Sequence, residues 1–272
     1  MKHCYVLLLT LSVFLCATCQ TPDGTAVKSK APWSQNAEDA AARFVLARGG
    51  KVTRDENLPG RPVVAVDLIA SGVSDSNIGD LKVLKDLRRL QLGGTRITDV
   101  GLKQLKDLKH LQDLGLMGTH ITDAGVIDFL KEHRDLRKLD LSQTRITHAS
   151  VMEVKELKAL EELCLDDNPI SDADLIEIKE LKGLGVLSLI RTKVTDVGVR
   201  ELKELKGIKK LYLSETGITD AALQDLKELK GLQELTLEGT AITNEGLNAV
   251  RKALPGAKVL YWDLKSSTTP PR

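Results

Sequence analysis

The chain is poor in the residues that usually mark a reaction centre or an anchor. Aromatic residues make up only 3% of the 272, which leaves few rings for stacking on bases or sugars. Cysteine occurs four times, and Cys4, Cys16 and Cys19 all fall in the first 19 residues. A mature chain without that segment keeps Cys164 alone, so it forms no intramolecular disulfide and depends on packing. Neither charge is in excess, with 39 Lys and Arg against 38 Asp and Glu. That balance argues against generalised binding to nucleic acid or to an anionic membrane. Long apolar runs are missing too. Tyr5 to Ala17 is a run of 13 residues, too short to span a bilayer. With Lys2 ahead of it and Ala17, Thr18 and Cys19 behind, it reads as a signal peptide cleaved before Gln20.

What the chain does have is repetition. The segment LRRLQLGGTRITDVGLKQLKDLKH opens at Leu87, and close variants of it open at Val63, Leu111, Leu136, Leu160, Leu184, Ile208 and Leu232. The step is 24 residues, except 25 between Leu111 and Leu136, where the extra residue falls in FLKEHRDL. A ninth, partial unit runs from Ala257 through Leu260 to Trp262. A period this short implies a solenoid whose units cannot fold alone.

Each unit carries two periodicities. Its opening L-x-x-L-x-L ends on apolar residues two apart, which is strand spacing. Its second half places apolar residues three apart, as in Leu102, Leu105 and Leu108, which suits a short α or 3₁₀ segment. Between them, Thr98 and Asp99 are placed to cap a helix and to complement its dipole. Thr122/Asp123, Thr195/Asp196 and Thr219/Asp220 repeat the pair, Ser171/Asp172 varies it, and His148 and Asn244 replace the Asp in their copies. Parallel strands sit about 4.8 Å apart, whereas packed helices need about 8–10 Å. The stack must therefore curve, with strands on its concave face and helices outside.

These units resemble leucine-rich repeats, in the variant where Thr takes the turn position often held by Asn or Cys. Thr95, Thr119, Thr144, Thr192, Thr216 and Thr240 match that position, and Asn168 keeps Asn. The I-T-D-x-G-L pattern resembles that of bacterial secreted repeat proteins and of F-box proteins; no F-box-like segment accompanies it. The resemblance implies an α/β solenoid, curved, with parallel strands inside and short helices outside. It also implies a protein that presents a surface to a partner.

The organisation expected is a signal peptide over 1–19, a linker over 20–35, an N-terminal helix and strand cap over 36–62, the repeat domain over 63–264 and a disordered tail over 265–272. The cap rests on a helical spacing in 37–47, a Gly49-Gly50 stop and an extended segment over 51–54 that covers the first sheet edge. Cys19 offers an alternative end to export, a lipid anchor. Cys16 at −3 and Thr18 at −1 fit the lipobox poorly, so plain secretion or periplasmic release is preferred. No integral membrane span is expected.

If the register holds, three rows of residues face the concave side. The central row is Asp67, Gln91, Gly115, Asp140, Cys164, Ser188, Tyr212 and Thr236. Before it run Ala65, Arg89, Asp113, Lys138, Glu162, Val186, Lys210 and Glu234, and after it Ile69, Gly93, Met117, Ser142, Asp166, Ile190, Ser214 and Glu238. The candidate binding residues are Arg89, Met117, Lys138, Glu162, Asp166, Val186, Ile190, Lys210 and Tyr212. Among them, Val186, Ile190 and Tyr212 come from adjacent units and could form one apolar patch, with Tyr a typical interface anchor. Glu161, Glu162, Asp166 and Asp167 form an acidic cluster around Cys164. It reads either as a docking site for a basic partner or loose Ca²⁺ site, or as a patch balanced by Arg137, Lys138, Lys209 and Lys210. Lys103, Lys106 and Lys109 are expected to coat the convex face.

Catalysis finds no support. His110, His120, His133 and His148 share no metal-ligand spacing, and the acidic neighbours of Cys164 make it a poor nucleophile. Walker, H-E-x-x-H and G-x-S-x-G motifs are absent. The expectation is an exported, non-enzymatic repeat protein without cofactor or metal, binding another protein through its concave face. The alternatives are a polysaccharide or cell-surface ligand binder and a self-associating envelope protein.

Overall fold

The structure, a computed structural model, describes residues 37–261. The leader, Cys19, the 20–35 linker, Trp262 and the 265–272 tail lie outside the described residues.

The chain enters through α1 (Ala37–Leu46) and β1 (Lys51–Arg54), then starts a regular alternation. The strands are β2 (Val63–Asp67), β3 (Arg89–Gln91), β4 (Asp113–Gly115), β5 (Lys138–Asp140), β6 (Glu162–Cys164), β7 (Val186–Ser188), β8 (Lys210–Tyr212), β9 (Glu234–Thr236) and β10 (Lys258–Leu260). Between them lie a 3₁₀ turn at Ile78–Val83, then α2 (Asp99–Gln104), α3 (Asp123–Leu130), α4 (His148–Val154), α5 (Asp172–Ile178), α6 (Asp196–Leu202), α7 (Leu223–Leu226) and α8 (Asn244–Ala253). The described strands form one sheet in sequence order. β1 pairs antiparallel with β2, and every later pair is parallel. α1 buries Ala41, Ala42 and Val45 against the first unit, and Asp39 on it meets Arg54 of β1 at 2.6 Å. This α/β solenoid is the architecture that the two periodicities predict.

Each unit sends its apolar positions into one continuous core. In the second unit Leu90, Leu92, Ile97, Leu102, Leu105 and Leu108 are all essentially inaccessible. Full burial of each such side chain contributes roughly 2 kcal/mol. Below the strand, the Thr of each turn satisfies a carbonyl three residues back: Thr95 Oγ1 donates to Leu92 O at 2.6 Å, and Thr119, Thr192 and Thr216 repeat the bond. Asn168 does the same at 3.2 Å and also reaches Leu141 O of the preceding unit at 2.8 Å.

The Thr-Asp pairs do more than cap their own helices. Thr98, Thr147, Thr195 and Thr219 accept a helix N–H as expected. The Asp carboxylates instead join one unit to the next. Asp99 accepts the backbone N–H of Thr122 at 2.8 Å and its hydroxyl at 2.6 Å. Asp75, Asp123, Asp172, Asp196 and Asp220 make the same pair of bonds to Thr98, Thr147, Thr195, Thr219 and Thr243. Asp75, in a first unit whose sequence departs most from the pattern, belongs to this ladder and was not singled out by the repeat motif.

The same ladder explains the glycine of I-T-D-x-G. A Cβ on Gly101, Gly125, Gly198 or Gly246 would overlap the carboxylate arriving from the preceding unit. Where the motif lacks Gly, the ladder is rebuilt. Ser150 donates its hydroxyl to Asp123 at 2.6 Å. At the next step His148 replaces the Asp, which leaves room, and Asp174 stands where Gly would be. Asp174, 1% exposed, then supplies from within its own unit the bond that the previous unit cannot, accepting Ser171 N–H at 2.7 Å. His148 Nδ1 lies 2.8 Å from its other oxygen. Ala222, after Asp196, is met by a 3₁₀ start over Asp220–Ala222 in place of a regular helical turn.

The 25-residue step is absorbed at α3, the longest helix between two repeat strands until α8. His133 turns into the core at 2% exposure and stacks on Phe129 with ring centroids 3.8 Å apart. Its Nδ1 lies 2.8 Å from Phe129 O, while Nε2 has no hydrogen-bond partner of good geometry. Burial holds its pKa below the ordinary histidine value.

Candidate functional site

The parallel register aligns the three rows. Asp67, Gln91, Gly115, Asp140, Cys164, Ser188, Tyr212 and Thr236 are successive cross-strand partners. In the preceding row the charges alternate and neutralise one another. Arg89 pairs with Asp113 at 2.6 Å, Lys138 with Glu162 at 2.7 Å and Lys210 with Glu234 at 3.6 Å. Arg89, Lys138, Glu162 and Lys210 therefore sit on the strand face but are already partnered. Val186 interrupts this row between Glu162 and Lys210.

Around Val186 the strand face dips. Val186, Ile190 and Tyr212 line a depression of about 310 Å³, together with Glu162, Lys210 and a floor of Cys164 and Ser188. The three apolar residues are half-buried, not openly exposed as their positions in the rows suggested. Small Ser188, itself buried, creates the hollow by leaving room between larger neighbours. Tyr212 Oη reaches Glu234 Oε2 at 3.3 Å, which holds the ring along the strand row. Met117, 46% exposed, is on the same side but three units away and does not join this group.

The depression is an electronegative place. Cys164 is pushed up to about 12, first by burial and then by Asp140, Asp166 and Glu162. A thiol so raised stays protonated at neutral pH and is no nucleophile. Asp166 is raised by burial, against the lowering effect of donors from Ser188 Oγ at 2.6 Å and Ile190 N at 2.8 Å.

The acidic cluster does not converge. Glu161 pairs with Arg137 at 2.7 Å, Glu162 with Lys138, and Asp167 with Arg191 at 2.5 Å. Asp166 turns the other way, into the strand face. No group of His, Cys, Asp or Glu among the described residues could hold a metal ion. No helix among them is long and apolar enough to cross a membrane.

One column escaped the sequence reading. The residue after the third row is left-handed in every unit, as Gly94, Gly118 and Gly239 in three of them. Gln143, Asp167, Arg191 and Glu215 occupy it in four consecutive units with φ of 53°, 56°, 53° and 57°. They form their own ladder, Gln143 to Asp167 at 3.0 Å and Arg191 to Asp167 and Glu215. The period-two rule marks side chains on the strand but says nothing of the first turn residue, so this edge was not visible in advance.

The comparisons agree with the geometry. The family model described as Leucine Rich repeat matches residues 83–106 and 107–130. The chain is also similar to the crystal structure of an internalin C2 from Listeria monocytogenes, with a TM-score of 0.59 and 22% identity, over 83% of this chain and 92% of that one. At that identity the likeness concerns the fold. No curated protein matches the chain. With its units in a single register and its strands in a single sheet, the chain has the fold of a leucine-rich-repeat solenoid, and two of its units match the repeat's family model.

Proposed function

We propose that this protein is an exported, non-enzymatic scaffold that binds another protein through the concave strand face. One observation carries the reading. Beside a row whose charges pair along the sheet, Val186, Ile190 and Tyr212 of neighbouring units meet around a depression. Half-buried apolar side chains with a tyrosine among them, rimmed by charged residues, have the composition of an interface centre. Export rests on the Lys2, Tyr5–Ala17 and Ala17-Thr18-Cys19 pattern. Release after cleavage is preferred to a lipid anchor on Cys19.

A sugar-binding surface would want several exposed rings. Tyr261 packs against the core and donates its hydroxyl to Ile242 O at 2.9 Å, which leaves Tyr212 without a second platform among the described residues. Self-association would show as a mass that rises with concentration in light scattering.

The test is capture from the native envelope. Tyr212→Ala and Ile190→Asp are expected to abolish capture of the partner taken by the unmodified protein, while Val197→Asp on the helical side leaves it intact. Capture that survives both strand-face changes would overturn the reading.

A further inference from the structure

Two carboxylates flank the depression, as neighbours of Cys164 and Ser188 in its lining, and neither pairs with a cation. Asp140 is the cross-strand neighbour of Cys164, and its oxygen accepts only the backbone N–H of Ser142 at 2.9 Å. Asp166 accepts only Ser188 Oγ and Ile190 N–H. Each cation nearby is already committed, Lys138 to Glu162 and Lys210 to Glu234. Neutral donors hold these two carboxylates in place without cancelling their charge. The high position of Cys164 has the same origin in part, since burial comes first and Asp140 and Asp166 next.

We propose that the depression receives a cationic side chain, arginine or lysine, carried on a segment of the partner protein. This deepens the reading of the strand face as the binding surface and rests on it. The aliphatic stem of such a side chain covers apolar surface while its head stays polar, which suits Val186 and Ile190 with Asp166 next to them and Asp140 one strand further along. The Tyr212 ring adds a face that attracts a cation. A purely apolar side chain would desolvate the two carboxylates without a partner, which is costly. An acidic one would be repelled.

The geometry allows a clean variant. Both bonds to Asp166, and the one to Asp140, are accepted on Oδ1. An asparagine oxygen can keep every one of them, so Asp140→Asn with Asp166→Asn removes two charges and no hydrogen bond.

The experiment is selection of phage-displayed random 12-residue peptides on the whole immobilised protein. The enriched peptides are expected to carry arginine or lysine beside an apolar residue. Their affinity should fall about tenfold or more on the double asparagine variant, and should weaken with added salt on the unmodified protein only. The urea midpoint of the variant serves as the folding control. Enriched peptides without a cation, or cationic ones that bind the double variant equally, would overturn the proposal. If such peptides still need Tyr212, the strand-face reading stands and this inference alone fails. If they ignore Tyr212→Ala as well, both fail. No enrichment over a blank surface overturns the proposal too.

Discussion

The Asp–Thr ladder and the strand face are set by the same step of one unit, yet they use it in opposite ways. On the ladder side each carboxylate reaches a donor in the next unit, and the sequence varies only where the geometry is rebuilt, as at His148 and Asp174. On the strand face the step brings Arg89 to Asp113 and Lys138 to Glu162, pairs between exposed or half-exposed side chains. Exposed pairs of that kind contribute little to stability. A buried N–H left without its acceptor costs far more. The repeated residues are therefore those whose loss unstacks the solenoid, and the varied ones are free of that constraint.

The largest effect should come from forcing the two ladder solutions to collide. Gly125→Asp places a carboxylate against that of Asp99 and should cost about 3–5 kcal/mol in urea unfolding. Adding Asp99→His recreates the His148/Asp174 arrangement and should recover at least about 2 kcal/mol. Additive losses would show that the exchange is not a compensated one. Next, Asp196→Ala strands the Thr219 N–H and hydroxyl and should cost about 2–3 kcal/mol. Arg89→Ala on the strand face should stay within about 0.5 kcal/mol. Equal losses at the two sites would erase the contrast between ladder and face.

His133 gives a pH-dependent version of the same contrast. Its folded pKa lies below that of the unfolded chain, mainly through burial, with Lys109 adding to the shift and Glu132 opposing it. The unfolded chain therefore binds the proton first. Stability is full above about pH 6.5 and is lost as pH falls below it, by at most about 1.4 kcal/mol per pH unit. Thermal melts between pH 7.5 and 5 should show that loss, and His133→Leu should flatten it. A melt unchanged by the substitution would place the titration elsewhere. The left-handed column should give a gain, not a loss. Gln143→Gly relieves a positive φ and should raise stability by about 0.5–1 kcal/mol, a gain that a destabilised variant would contradict.

Much of this was legible in the sequence because leucine spacing fixes both strand register and core. Once Leu90 and Leu92 point inward, Arg89, Gln91 and Gly93 can only point outward. The ladder was half legible. Thr98 and Asp99 read as a local cap, and only the structure shows that Asp99 is spent on Thr122, because a bond across 23 residues leaves no local signature. The depression needed the structure as well. The rows named Val186, Ile190 and Tyr212, but the hollow between them depends on how small Ser188 and Cys164 sit beneath larger neighbours. The uncompensated charge of Asp140 and Asp166 depends on which cations reach which carboxylates.

The most direct test of the division between scaffold and face is a photoreactive side chain placed at one of two apolar positions. Position 190 lies at the strand-face depression, and position 176, equally apolar and well exposed, lies on α5 of the helical face. Irradiation in the cells that make the protein should give a discrete protein adduct from position 190 and none from position 176. An adduct from position 176 with none from position 190 would contradict the account.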